Sequence, residues 1–194
     1  MISAEVIKKL RESTGAGMND IKAALDEAGG DEVKAVEILR KNGQKIAAKK
    51  ADRITREGLV ESYIHSSGKL GVIVSIACET DFVARNDDFK KFAHEVALQI
   101  AASAPQYLTP EQIPAEVIEK EKEIYREQLA KEGKTGEMAE KILEGKLQKF
   151  YSEVCLLRQP YIKDDKIIVE HLLQELIGKI GENIQIKEFV RLSL

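Results

Sequence analysis

The chain has 194 residues, which is long enough for one or two domains with a hydrophobic core. A hydrophobic fraction of 43% and a charged fraction of 32% are typical of a soluble, folded protein and exclude a disordered tail. The formal net charge of -3 argues against a surface built as a whole to bind phosphate backbones, although local basic patches are compatible with it.

Two features of the sequence bear on its compartment. Cys78 and Cys155 each lie in an apolar stretch, so we expect buried, reduced thiols rather than a disulfide framework, which favours the cytosol. The chain does not open with a signal-peptide pattern, and no apolar run approaches the roughly 20 residues that span a membrane. We therefore expect a cytoplasmic protein that is neither exported nor inserted in a membrane.

Residues 1–42 are predicted to form a three-helix module. Ser3 can cap the first helix and Asp31 the third, and the apolar residues between them recur at helical spacing. Asn42-Gly43 is expected to end the third helix. The segment Thr14-Gly15-Ala16-Gly17-Met18 joins the first two helices, and its methionine either seals the end of the module or adapts to a partner.

Residues 43–56 are predicted to be a basic linker. Its cations are Lys45, Lys49, Lys50, Arg53 and Arg56. A solvated linker is the favoured interpretation, followed by a surface for an acidic protein. Nucleic acid comes last, because no aromatic side chain is interleaved for base stacking.

Residues 57–194 are predicted to form an α+β core. A β-hairpin is predicted for Leu59–His65 and Leu70–Cys78. The third strand of this antiparallel sheet, which packs with helices, is predicted for Ile184–Leu192. The second strand is nearly all apolar, so both of its faces are expected to be covered. An open edge and a broad apolar face favour a homodimer that protects both.

The hexapeptide Thr80-Asp81-Phe82-Val83-Ala84-Arg85 follows the buried second strand and precedes a helix that Asn86 or Asp87 can cap. A large aromatic in such a turn has two interpretations: Phe82 folds back under the next helix, or it projects as a wedge with a carboxylate beside it. The strand gives a wedge the rigid base that it requires.

The remaining helices follow the hexapeptide. Residues 116–154 are predicted to be a protruding antiparallel helical hairpin, because a tip of about five residues interrupts two helical stretches. Ile167–Ile177 is predicted to be a further helix ending at Gly178.

Motifs for catalysis or cofactor binding are not found. The three histidines His65, His94 and His171 lack metal-ligand spacing with the cysteines. No phosphate-cradling glycine loop follows a strand, and no serine or cysteine sits in a nucleophile motif. We therefore expect no cofactor, no metal and no covalent chemistry.

Several of these motifs together closely resemble the translation elongation factor Ts family. They are Thr14–Met18, Lys49-Lys50-Ala51, Thr80–Arg85, Gln159-Pro160 and Lys179-Ile180-Gly181-Glu182-Asn183-Ile184. The resemblance covers nearly the whole chain in order. It implies a guanine-nucleotide exchange factor for elongation factor Tu, with an N-terminal module like a ubiquitin-associated domain and a coiled-coil hairpin.

The resemblance also implies which residues act. Thr80, Asp81, Phe82 and Val83 would disturb the Mg²⁺ site of the partner, with the ring of Phe82 as the wedge. Arg11, Met18 and His65 match positions that contact the partner. Relatives often carry a second methionine where this chain has Asn19, which weakens that apolar contact. Longer relatives carry a second copy of the sheet module, and the single copy here implies that the chain doubles by forming a homodimer.

Two rival functions remain compatible with parts of the sequence. The N-terminal module alone is compatible with an adaptor for ubiquitin-like proteins, and residues 41–56 with an RNA-binding module. The resemblance favours neither, and it implies no direct contact with nucleic acid.

Overall fold

A computed structural model describes residues 3–194, so the part of the N-terminal module predicted for residues 1 and 2 lies outside the described residues. The helices are α1 (Ala4–Thr14), α2 (Met18–Glu27), α3 (Glu32–Lys50), α4 (Asp81–Ala84), α5 (Asp87–Ser103), α6 (Ala115–Lys131), α7 (Gly136–Val154) and α8 (Val169–Ile180). The strands are β1 (Glu57–Ile64), β2 (Leu70–Cys78), β3 (Pro160–Tyr161), β4 (Asp164–Ile168) and β5 (Ile184–Ser193).

The predicted α+β class and the three-stranded antiparallel sheet are confirmed. β2 is the central strand, with β1 and β5 antiparallel on either side of it. α5 packs across one face of the sheet, and α8 packs against α5 and α3. Alternate residues of β2 point into this core, namely Val72, Val74, Ile76 and Cys78. The core therefore lies between the sheet and the two helices.

Within residues 3–194, β2 is covered on one face, and cover of its other face by a second chain stays a prediction. Ile73, on the face of the sheet away from α5, is 53% exposed. It pairs with Ser62 on β1 and with Val190 on β5, and Val190 is exposed as well. Among residues 3–194, no helix or strand buries Ile73 or Val190 on this face.

The predicted end of the third helix at Asn42-Gly43 is wrong. α3 continues to Lys50, and Gly43 is buried where α3 crosses α8. A Cβ on Gly178 would lie 3.2 Å from the Cα of Gly43, so the two glycines allow the helix backbones to approach closely. Helical structure therefore covers residues 43–50 of the predicted linker, while the division of the chain at residues 42 and 56 stays a prediction.

α8 also differs from its predicted range, at both ends. It begins at Val169 rather than Ile167, because Ile167 and Ile168 belong to β4, which pairs with β3. It runs past Gly178 and ends at Ile180, where Gly181 adopts a left-handed conformation with φ 84°. Gly178 is thus a packing residue and Gly181 is the helix end.

The predicted hairpin and helix caps are confirmed. α6 and α7 pack through Leu129, Leu143 and Leu147 and are joined by a short tip. The side chains of Ser3 and Asn86 cap α1 and α5 as expected. In the described part of the chain, residues 3–194, no helix combines the length and the apolar character needed to cross a membrane.

Candidate functional site

The side chain of Phe82 projects from the protein. It lies in the single-turn helix α4 and is 81% exposed. The interpretation in which the ring folds back under α5 is therefore wrong. Its neighbour Val83 is only 8% exposed and joins the core. Phe82 is thus free to contact another molecule, whereas Val83 fastens the turn to the protein.

Thr80 is held at three points at the start of α4. Its N–H and its hydroxyl donate to the two carboxylate oxygens of Glu182, at 3.0 and 2.7 Å. Its carbonyl accepts from the buried thiol of Cys78 at 3.1 Å. The same hydroxyl oxygen accepts from the N–H of Val83, which makes Thr80 the N-cap of α4. The turn that carries Phe82 is therefore tied to the end of β2 and to the segment after α8.

That segment is itself fixed. Asn183 is 2% exposed, and its side-chain amide donates to the carbonyls of Ala51 and Arg53 at 3.1 and 2.7 Å. Its backbone N–H donates to the carboxylate of Glu79 at 2.6 Å. Hydrogen bonds thus join the exit of α3, the end of β2 and the start of β5 at one corner of the molecule.

Asp81 forms a local ion pair. Its carboxylate lies 3.1 Å from the guanidinium of Arg85, one helical turn further on. Exposed pairs of this kind contribute little to stability, about 0–1 kcal/mol. Asp81 therefore stays available for another cation at small cost.

Arg11 and Met18 lie beside the loop between α1 and α2. Met18 begins α2 and is 49% exposed, and Arg11 lies in the last turn of α1. The side chain of Lys179 packs on Gly15 of this loop, and its ammonium is 2.8 Å from the carboxylate of Asp88 at the start of α5. The loop is therefore linked to the helix that follows Phe82.

His65 lies at the other end of the sheet. Its N–H donates to the carbonyl of Leu70, whereas Cys78 at the far end of β2 adjoins the Phe82 turn. Nine strand residues separate the two ends by about 26 Å, at about 3.3 Å per residue. The ring of His65 is exposed and 2.9 Å from the hydroxyl of Tyr63. The predicted contact residues therefore do not converge on one pocket but span a wide surface.

The two cysteines are buried and unpaired with each other, as predicted. Burial, reinforced by the nearby charge of Glu182, raises the pKa of the Cys78 thiol to about 11. Burial likewise raises the pKa of Cys155 to about 11. Both groups are thus protonated at neutral pH and are poor nucleophiles. Among residues 3–194, no group of three or more His, Cys, Asp and Glu side chains is arranged to hold a metal ion.

Two of the basic residues after α3 have partners within the chain. Lys50 donates to the carbonyl of Gly181 at 2.5 Å, and Arg53 pairs with Glu79 at 3.5 Å. Both interactions help to bind the end of α3 to the core.

Sequence reasoning singled out the motif Lys179–Ile184 but gave it no role. Lys179, Glu182 and Asn183 make the contacts that fix the Phe82 turn and the loop of the N-terminal helices. The sequence does show that these polar residues lie between a predicted helix and a predicted strand. Its partners lie about a hundred residues earlier in the chain, and only the fold reveals them.

A rigidly mounted, exposed aromatic beside charged residues is typical of a protein that acts by binding another protein. A family model described as Elongation factor TS matches residues 2–194. The elongation factor Ts of Carboxydothermus hydrogenoformans is 58% identical over 194 residues, covering 100% of this chain and 89% of its own length. That of Fervidobacterium nodosum is 55% identical over 193 residues, covering 100% of this chain and 98% of its own. The chain belongs to the elongation factor Ts family, so the predicted resemblance is confirmed and the protein is a translation elongation factor.

Proposed function

We propose that the protein is a guanine-nucleotide exchange factor for elongation factor Tu, which releases GDP so that GTP can bind during polypeptide elongation in the cytoplasm. The observation that carries the proposal is the exposed ring of Phe82 on a turn fastened to the core. Membership of the elongation factor Ts family supports the choice of partner.

In the proposed mechanism, Phe82 inserts beside the nucleotide site of the partner and Asp81 disturbs its Mg²⁺. GDP held with nanomolar affinity is bound by about 12 kcal/mol, and Mg²⁺ and the phosphate loop account for much of that. Each loss of about 1.4 kcal/mol weakens binding tenfold. No covalent step is required, and in this sense the protein is not an enzyme.

The other site residues have supporting roles in this proposal. Thr80 caps the turn and Val83 anchors it, so these two act through the position of Phe82. Arg11 and Met18 contact the same domain of the partner from the N-terminal loop. His65, at the far end of the sheet from Phe82, contacts a different part of the partner.

Linkage constrains the exchange reaction. A factor that lowers the affinity of its partner for GDP is itself bound less tightly when GDP is present, by the same ratio. Saturating GDP is therefore expected to displace the factor, which allows it to act on many copies of the partner.

The direct test measures release of a fluorescent GDP analogue from elongation factor Tu. We expect the parent protein to accelerate release, and Phe82→Ala to reduce that acceleration by about tenfold or more, as expected for loss of an aromatic anchor. Met138→Ala is a matched control, because Met138 is also exposed but lies at the hairpin tip. Release at the uncatalysed rate with the parent protein would contradict the proposal.

A homodimer is the second part of the proposal. The uncovered sheet face presents apolar side chains from all three strands: Val60, Ile64, Ile73, Val190 and Leu192. A face of this kind is self-complementary about a two-fold axis, and a second copy of the chain would cover it. Each dimer then carries two Phe82 turns and recruits two copies of the partner.

The rival function, RNA binding, is tested by measuring how affinity for RNA depends on salt concentration. An RNA complex made by the basic residues after α3 would weaken steeply as salt is raised. Two of those residues, Lys50 and Arg53, are engaged within the chain, which favours the exchange function.

A further inference from the structure

We propose that Glu182 is a positioning residue for exchange: its carboxylate holds Thr80 so that α4 presents Phe82 to the partner. This inference rests on the proposed function and assigns Glu182 a role that it exerts through Thr80. Glu182 is separated from Thr80 by about a hundred residues of sequence, yet both of its oxygens are used on that one residue.

The contact is specific in its geometry. One carboxylate oxygen accepts from the backbone N–H of Thr80 and the other from its hydroxyl, at 3.0 and 2.7 Å. Because the hydroxyl donates its proton to Glu182, its oxygen is left to accept from the N–H of Val83 and to cap α4. Glu182 therefore fixes both the backbone and the rotamer of the capping residue.

α4 requires such support because it is very short. A four-residue helix makes too few internal hydrogen bonds to be stable alone. Hydrogen bonds to an ionised carboxylate are about twice as strong as neutral ones. Val83 anchors the turn from inside the core, and Glu182 sets the direction in which the turn leaves the strand.

Glu182 is itself held on both sides along the chain. The carbonyl of Gly181 accepts from Lys50, and the buried Asn183 is tied to Ala51, Arg53 and Glu79. Its carboxylate is therefore presented from a rigid segment. The same hydrogen bonds join the end of α3 to the Phe82 turn. The role of the motif Lys179–Ile184 is therefore to hold that turn in position.

The first test needs no partner protein. Amide exchange measured by NMR reports the hydrogen bonds of Ala84 and Arg85 to the carbonyls of Thr80 and Asp81. In Glu182→Ala we expect these amides to exchange about tenfold faster or more, since a bond to a charged group is lost. Amides of α5 and α8 are expected to keep the parent rates. Equal acceleration throughout the chain would overturn the proposal, because Glu182 would then support the fold in general.

The second test measures GDP release from elongation factor Tu at increasing concentrations of the factor. Glu182→Ala is expected to lower the maximal stimulated rate about tenfold, with a smaller change in the half-saturating concentration. Glu182→Gln keeps the shape and one acceptor oxygen, so it is expected to lie between the parent and Glu182→Ala.

Glu170→Ala is the matched control. Glu170 is a half-buried glutamate of α8, and its carboxylate pairs with the guanidinium of Arg158 at 3.1 Å. It is not among the residues that contact the Phe82 turn. It is expected to leave both exchange measurements at parent values. A parent protein that fails to stimulate release would contradict the proposed function, whereas parent-like amide exchange and release in Glu182→Ala would overturn the positioning role alone.

Discussion

At the scale of single residues, Phe82 and Val83 are adjacent but have opposite surroundings. The ring of Phe82 is exposed, whereas Val83 packs into the core. We expect Phe82→Ala to change the free energy of unfolding by less than about 0.5 kcal/mol. Val83→Ala is expected to lower it by about 1–3 kcal/mol, because buried methyl groups are removed. Urea denaturation followed by circular dichroism measures both, and the opposite ranking would contradict the two roles.

The cysteines give a second prediction at this scale. Their pKa values are raised to about 11 by burial, so the thiols stay protonated until the pH is well above the ordinary cysteine range. The thiol pKa is higher in the folded state than in the unfolded chain. The thiols therefore contribute to the free energy of unfolding fully below pH 9, and this contribution is lost as the pH rises towards 11.

Thiol alkylation checks this prediction. At pH 8 we expect Cys78 and Cys155 to react slowly in the native protein and rapidly in guanidinium chloride, as protonated and inaccessible thiols do. Stoichiometric alkylation of the native protein at the rate of the unfolded chain would show that the thiols are accessible.

At the scale of elements, the crossing of α3 and α8 depends on two glycines. A Cβ on Gly178 would meet the backbone of α3 at 3.2 Å, whereas a Cβ on Gly145 of α7 would meet nothing within 4 Å. Alanine at position 145 is expected to raise the free energy of unfolding by about 0.5–1 kcal/mol through helix propensity. Gly178→Ala is expected to lower it, because the close approach of the helices is lost.

Chemical denaturation of the two alanine variants measures this difference. Gly43→Ala, whose Cβ would be 3.5 Å from the carbonyl oxygen of Gln174, is expected to fall between them. A stabilising Gly178→Ala would mean that the helices do not cross as closely as described.

How much of the fold follows from the sequence depends on the range of the interactions. The hairpin β1–β2, the caps Ser3 and Asn86, and the α6–α7 hairpin are set by neighbouring residues, and their prediction is confirmed. Gly43 and Gly178 were interpreted as helix ends because a glycine inside a helix and one after it look alike in sequence. They lie 135 positions apart, and only their contact distinguishes the two cases.

The candidate site divides in the same way. The aromatic at position 82 stands out in the sequence, but its exposure depends on Val83 rather than Phe82 turning inward. The hydrogen bond from Thr80 to Glu182 joins segments that are distant in sequence, so no local sequence pattern predicts it. The distance of His65 from the Phe82 turn likewise follows from the length of β2 and not from any motif.

At the scale of the whole molecule, the uncovered sheet face predicts self-association. Ile73 lies in the middle of this face, on the central strand. We expect sedimentation velocity to give a dimer at micromolar concentration, and Ile73→Asp to give a folded monomer because a buried charge opposes pairing. Lys69→Asp, in the exposed hairpin turn, is a control for the added charge. A parent protein that sediments as a monomer would contradict the dimer.

The central claim is that insertion of Phe82 beside the nucleotide site brings Asp81 to the partner's Mg²⁺ and so loosens GDP. The most direct measurement therefore compares stimulated GDP release with and without Mg²⁺. In saturating Mg²⁺ the parent protein is expected to exceed Phe82→Ala by about tenfold or more. When EDTA removes the metal, there is nothing left to displace, and the two proteins are expected to become nearly equal. A difference that is equally large in EDTA, or absent in saturating Mg²⁺, would contradict the claim.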